Sequence, residues 1–303
     1  MRNRMIKELT ALAASDPCIV LVTADLGFGV LEEFQRVFPE RFVNCGIAEQ
    51  NMMAVAAGMA LEGDLVFTYS IGNFPTLRCI EQIRNDICYH NANVKIFAIG
   101  GGFAYGSLGM THHATEELSM MRTLPNMRVY APADPDEASA VLREIYQNDG
   151  PCYVRLARGG DPQLHNVQAG IKPLLLQEGD TTAILTTGTI LSEAITAAER
   201  LLQLGVRVGL YSCPCVKPMY KDTIHAIAQR YQHIITVEEN QIAGGFGSAV
   251  MEVLSELGST VRVTRIGLRD TFTNIVGSQE YLRNYFEIDS QAIVKAVLEE
   301  KQD

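Results

Sequence analysis

Apolar residues along this chain fall into two alternating patterns, and the alternation predicts an architecture. Short runs of β-branched and aliphatic residues read as buried strands: Ile19 to Thr23, Phe42 to Cys45, Leu65 to Thr68, Val94 to Ile99, Arg128 to Tyr130 and Cys152 to Leu156. Between them lie segments with helical patterns, Val30 to Phe38, Glu49 to Glu62, Pro75 to Tyr89 and Pro135 to Asn148. Strands alternating with helices specify a parallel sheet with helices on both faces. From Arg158 to Gly179 the periodicity lapses into Gly, Pro, Gln, His and Asn, the composition of a crossing linker. The alternation then resumes: strands at Thr182 to Thr186, Val206 to Tyr211, His233 to Val237 and Val261 to Ile266, with helices at Leu191 to Leu204, Lys221 to Arg230 and Gly244 to Leu257. The expected fold class is α/β, two tandem parallel-sheet domains at 1–160 and 180–303 joined by a linker at 161–179.

Composition narrows the function. The chain has 303 residues, 47% of them hydrophobic, enough for a sizeable core in each of two domains. A formal charge of -10 with no basic stripe argues against a nucleic-acid surface, because phosphate binding needs concentrated Lys and Arg. Apolar stretches are interrupted well before the roughly 20 residues a membrane span needs, so no transmembrane helix is expected. The start, Met1 to Glu8, lacks the apolar core of a secretory signal, and cytoplasmic residence is the default expectation. The seven cysteines are scattered among apolar residues and read as free thiols of a reducing compartment. Cys213-Pro214-Cys215 is too close for the usual zinc pair and is taken as structural, and no metal site is expected in this chain.

The most telling run is Gly46-Ile47-Ala48-Glu49-Gln50-Asn51-Met52. Met52 to Ala60 holds only apolar residues and glycine, so Glu49 enters a helix expected to be largely buried, where a carboxylate keeps its proton more readily than in water. The run resembles the Gly-Ile-x-Glu-x-x-Met signature of the transketolase superfamily. The likeness continues through Thr23-Ala24-Asp25-Leu26, Tyr69 to Phe74, Thr111-His112-His113, Leu124 to Met127 and Ala131 to Asp134. In the second half, Val237-Glu238-Glu239-Asn240 and Gly244 to Val250 resemble that family's C-terminal domain.

What the resemblance implies is specific. Glu49 would be the acid that shares a proton with the aminopyrimidine of thiamin diphosphate and so primes the cofactor, which carries the carbon chemistry itself. Phe74 falls near a position whose aromatic ring flanks the pyrimidine, with Tyr69 as a neighbour of interest and Asp25 as a further cofactor contact. Arg78, one helical turn after Phe74, matches an arginine of the deoxyxylulose phosphate synthases. His112, and more weakly His113, match residues that face substrate oxygens, and Arg158 matches an arginine that grips a sugar phosphate, a task suited to its planar fork. By the same comparison, Gly100 and Leu108 stand where transketolases carry a histidine and an aspartate for the donor, so a relaxed or changed donor choice is implied.

No Gly-Asp-Gly occurs, the family's mark of the domain that holds the diphosphate and magnesium. The resemblance is therefore to the C-terminal component of a split transketolase. It implies a partner subunit with the diphosphate domain, a two-fold heterotetramer, bound thiamin diphosphate and Mg2+, and transfer of a two-carbon ketol unit between a ketose (phosphate) donor and an aldose acceptor. Two alternatives stand beside it: decarboxylation of a 2-oxo acid with acyl transfer, as in the synthases or dehydrogenase beta subunits, and a non-catalytic regulatory subunit.

Overall fold

Six of the strands expected from β-branched runs stack into one sheet, and most of their side chains are apolar and buried, as strands covered by helices on both sides require. They are β1 (Ile19–Thr23), β2 (Phe42–Asn44), β3 (Leu65–Ile71), β4 (Val94–Ile99), β5 (Arg128–Tyr130) and β6 (Cys152–Leu156). A second sheet holds β7 (Leu174–Gln177), β8 (Thr182–Thr186), β9 (Gly209–Ser212), β11 (His233–Gln241) and β12 (Arg262–Leu268), while β10 (Cys215–Lys217) joins the first. The computed structural model describes residues 1–299.

The seven-stranded sheet runs β10-β5-β6-β4-β3-β1-β2 and the five-stranded one β12-β11-β8-β9-β7. All pairings are parallel except at one edge of each, where β10 runs antiparallel to β5 and β7 antiparallel to β9. Two strands thus depart from the organisation expected from sequence. Residues 174–177, inside the stretch read as linker, close the second sheet, and residues 215–217 cross back to the edge of the first. Three or four residues on an edge are too few to carry a readable period.

Helices flank both sheets: α1 (Arg2–Ser15), α2 (Glu32–Val37), α3 (Glu49–Leu61), α4 (Ile80–Gln82), α5 (Glu117–Thr123), α6 (Pro135–Gln147), α7 (Leu191–Gln203), α8 (Lys221–Arg230), α9 (Phe246–Glu256), α10 (Gln279–Tyr285) and α11 (Ser290–Glu299). The single helix expected over 75–89 is instead a 3-10 turn at Leu77–Cys79, α4 and a π-helical stretch at Ile83–Cys88. The alternation does not announce α10 and α11.

One apolar core joins the two domains. Met52 and Met53 of α3, Ile83 and Ile87 of the π stretch, and Leu118 and Met121 of α5 belong to the same buried cluster as Leu185 of β8 and Phe246 and Val250 of α9. A second cluster fills the opposite face of the first sheet under α1, α2 and α6, and a third lies beneath α7 and α11. The Gly244-Gly245-Phe246-Gly247 run is a tight helix entry: the buried Glu238 carboxylate accepts from the amides of Phe246 and Gly247 at 2.7 and 2.8 Å. All seven cysteines are free, five of them buried.

Candidate active site

In open α/β sheets ligands bind beyond the carboxyl ends of the strands, where loops are free to vary without disturbing the ladder. Most of the candidate residues fall there, on five adjacent strands. Asp25 follows β1, Glu49 opens the helix after β2, Phe74 and Arg78 follow β3, His112 lies in the long connection after β4, and Arg158 follows β6.

Glu49 is the first residue of α3 and only 2% exposed. The carboxylate is not alone among apolar groups, as the sequence leads one to expect. Its Oε2 accepts from Arg78 Nη1 at 2.6 Å, and the Arg78 side chain is 49% exposed, so the pair spans from core to surface. The guanidinium carbon of Arg78 sits 5.2 Å from the Phe74 ring centre. Phe74 in turn meets the His112 imidazole edge-on at 5.2 Å between ring centres. Tyr105 is 6.4 Å from His112, and the Arg158 guanidinium lies 5.1 Å from the Tyr105 ring. Glu49, Arg78, Phe74, His112, Tyr105 and Arg158 therefore form one contiguous line along the carboxyl edge, acidic and buried at one end, basic and open at the other.

His112 is half-buried, its Nδ1 3.0 Å from Thr111 Oγ1. It stands in a turn at Met110–His112, inside an excursion closed by an antiparallel bridge between Gly102 and Ala114. Asn73 ties that excursion to the Phe74 loop, its Nδ2 donating to the Thr111 carbonyl at 3.2 Å. The Asn73 Oδ1 is buried and unpartnered.

Three other candidates stand apart. Tyr69 is buried on the far face of the sheet, in the cluster of Leu31 and Phe34, and burial pushes its phenol up. Asp25 is in the left-handed region with φ of 55° and exchanges hydrogen bonds with Asn44, its amide donating to Oδ1 at 2.9 Å and its Oδ1 accepting from Nδ2 at 3.2 Å. His113 is 2% exposed, with Nε2 3.2 Å from the Gly106 carbonyl and the ring against Phe103 at 5.2 Å. Burial holds its pKa below the ordinary value. A buried neutral ring bonded to a backbone carbonyl is a packing element of the excursion.

Sequence reading passes over Tyr105, Asn73, Arg155 and Glu239. The first was visible as an aromatic in a glycine-rich loop, and Glu239 as a charge pair ending an apolar strand. Asn73 gives no signal, since its partner is a backbone atom 38 positions away.

Comparison with known proteins places the chain in a family. The family model of the transketolase pyrimidine-binding domain matches residues 1–160, and that of the transketolase C-terminal domain residues 172–293. The chain is 32% identical over 302 residues to a subunit of the apulose-4-phosphate transketolase of Actinobacillus succinogenes, covering 98% of this chain and 97% of that protein. It is 38% identical over 296 residues to 1-deoxy-D-xylulose-5-phosphate synthase 1 of Geobacter sulfurreducens, covering 95% of this chain but 46% of the synthase. Among solved structures, a split-gene transketolase described as an inactive beta4 tetramer superposes with a TM-score of 0.88 at 35% identity, covering 98% of this chain and 96% of that one. With both of its domains matched and its length shared by a separate transketolase subunit, the chain belongs to the transketolase family.

Proposed function

We propose that this chain is the C-terminal subunit of a split, thiamin-diphosphate-dependent transketolase. It transfers a two-carbon ketol unit from a ketose phosphate donor to an aldose acceptor, together with a partner that brings the diphosphate and magnesium domain. The observation that carries the reading is Glu49: a carboxylate buried at a helix start and paired with Arg78, whose guanidinium in turn lies 5.2 Å from the Phe74 ring. That donor set suits a flat heteroaromatic ring with a basic nitrogen. Phe74 offers an aromatic face and Glu49 an acid–base partner.

When bound, thiamin diphosphate supplies a nucleophilic carbon that accepts the two-carbon unit. The chain's own residues do the rest. Glu49 holds or releases a proton at the ring nitrogen, and Phe74 orients the ring. His112, with Nδ1 on Thr111, presents its other nitrogen to the donor's hydroxyls. Arg158 takes the sugar phosphate. Magnesium and diphosphate are assigned to the partner because this sequence holds no Gly-Asp-Gly. A partner subunit fits the name of the Actinobacillus relative, one subunit of its enzyme, and the inactivity of the beta4 tetramer described for the split-gene structure; the assembly we propose is a two-fold heterotetramer. Seven free cysteines are in keeping with the cytoplasm, and no described helix is long and apolar enough to cross a membrane.

The test is ketol transfer by the purified chain with thiamin diphosphate and magnesium, alone and mixed with a subunit carrying Gly-Asp-Gly. Activity is expected only in the mixture. Glu49→Gln is expected to lower turnover by on the order of 10² to 10⁴-fold with assembly intact. Unchanged turnover would mean that the chain is a regulatory subunit. Arg78 favours a second reading, 2-oxo-acid decarboxylation with acyl transfer, because a half-exposed guanidinium at the mouth of the site is a ready carboxylate partner. Carbon dioxide release from pyruvate would establish that reading in place of ketol transfer.

A further inference from the structure

The excursion that carries His112 leaves β4, passes Gly102, makes two 3-10 turns at Gly106–Leu108 and Met110–His112, and returns at Ala114. Its own ladder amounts to one bridge, with Gly102 N donating to Ala114 O at 2.7 Å and Ala114 N to Gly102 O at 3.0 Å. Such a segment takes its shape from whatever closes its base.

The closure comes from the other domain. Glu239, near the end of β11 and 3% exposed, accepts from the Phe103 amide through Oε1 at 2.7 Å. Its Oε2 is held by Arg283 Nε and Nη2 at 2.9 and 2.5 Å, and Gln279 Nε2 bonds both oxygens at 3.0 and 3.1 Å. The backbone carbonyl of Glu239 accepts from Arg155 Nη1 at 2.9 Å, while Arg155 Nη2 donates to the Ala114 carbonyl at 2.9 Å, so both feet of the excursion are tied to one residue. Gly102 has φ of 60°, and a Cβ there would lie 2.5 Å from Glu239 Cδ, so the backbone approaches the carboxylate at a distance only glycine permits. Phe103, fully buried, then packs its ring on His113 and on Phe286 of the second domain at 5.2 and 5.4 Å. An amide bonded to a buried, doubly fixed carboxylate is among the stronger hydrogen bonds a fold offers.

We propose that Glu239 is a positioning residue for the reaction: the second domain sets the place of His112 by clamping the base of residues 102–114. The inference rests on the role given to His112 above. Its test separates the two by reading the clamp without any activity. Hydrogen exchange is followed in the full-length chain for Glu239→Gln, Glu239→Asp and the control Glu193→Gln, which alters the far side of Arg283, 3.5 Å away, without touching the excursion. Both Glu239 variants are expected to speed exchange within 102–114 at least tenfold while β3 and β4 keep wild-type protection, and Glu193→Gln is expected to match wild type. Should Glu239→Gln fail to fold, Glu239→Asp keeps the charge beside Arg283 yet is too short to reach both the guanidinium and the Phe103 amide. In the reconstituted complex, kcat per folded chain is expected to fall at least fivefold with KM for thiamin diphosphate unchanged. Unaltered exchange in folded Glu239→Asp, or equal acceleration in Glu193→Gln, would overturn the clamp. Accelerated exchange with wild-type kcat would uphold the clamp and remove His112 from the reaction.

Discussion

Lys95 is a fully buried lysine in the middle of the first sheet, its ammonium donating to the carbonyls of Asn148 and Gly150 at 2.9 and 2.7 Å. Burial pushes it from its ordinary 10.5 down to about 8. Below pH 8 the folded and unfolded chains both carry the proton. Between about 8 and 10.5 the unfolded chain holds more of it, so this group makes stability rise with pH across that window. Lys95→Met is expected to remove the rise, a difference of about 2 kcal/mol between pH 7.5 and 9.5 by urea unfolding. Residues of this kind are illegible in sequence. Lys95 sits inside a run that reads as uniformly buried strand, and what makes it tolerable is a turn more than 50 positions away. Glu49, by contrast, was legible because its setting is local: a glycine turn before it and an apolar helix after it. Asn73 and Tyr105 acquire meaning only from loops that meet in space.

The alternation of strands and helices was legible because the central strands are mostly apolar on both faces and the longer helices keep a buried stripe. Edges, irregular helices and connections were not. The connection over 158–173 shows why: it has no period of its own and is held by scattered charges. The Met1 ammonium bonds Asp161 at 3.0 Å, the Leu164 amide donates to Asp134 at 3.1 Å, and His165 Nε2 lies 3.1 Å from Glu137 and 3.6 Å from Asp134. The hydrogen bond to Glu137, then the charge of Asp134, raises the His165 pKa above its ordinary 6.5. The stabilisation is therefore complete below about 6.5 and is lost as pH rises through the raised value. Limited proteolysis is expected to nick residues 158–173 slowly at pH 6 and faster at pH 8. In His165→Ala the two rates should converge on the faster one, and a persistent pH dependence in that variant would assign the tether to other groups.

At the scale of the whole molecule, the apolar run of α3 leads one to expect a helix that is largely buried, and the chain alone buries one face of it. Glu49, Met52, Met53, Ala56 and Ala57 face the core, whereas Ala54, Gly58 and Leu61 are exposed, and Ile47 just ahead of the helix is 80% exposed. A face of small residues flanked by large apolar ones permits a close approach by another backbone and leaves apolar surface that a monomer rarely keeps. The face adjoins Glu49, whose cofactor we propose lies in a site shared with the partner subunit, and we predict that the same partner covers this face. Ile47→Asp is expected to weaken assembly with that partner at least tenfold, about 1.4 kcal/mol or more, by titration calorimetry. The isolated variant should unfold within about 0.5 kcal/mol of wild type, because an exposed side chain contributes little to the monomer. If assembly survives Ile47→Asp unchanged, the open face of α3 belongs to a contact between copies of this chain, and the variant's lower mass in sedimentation would identify it.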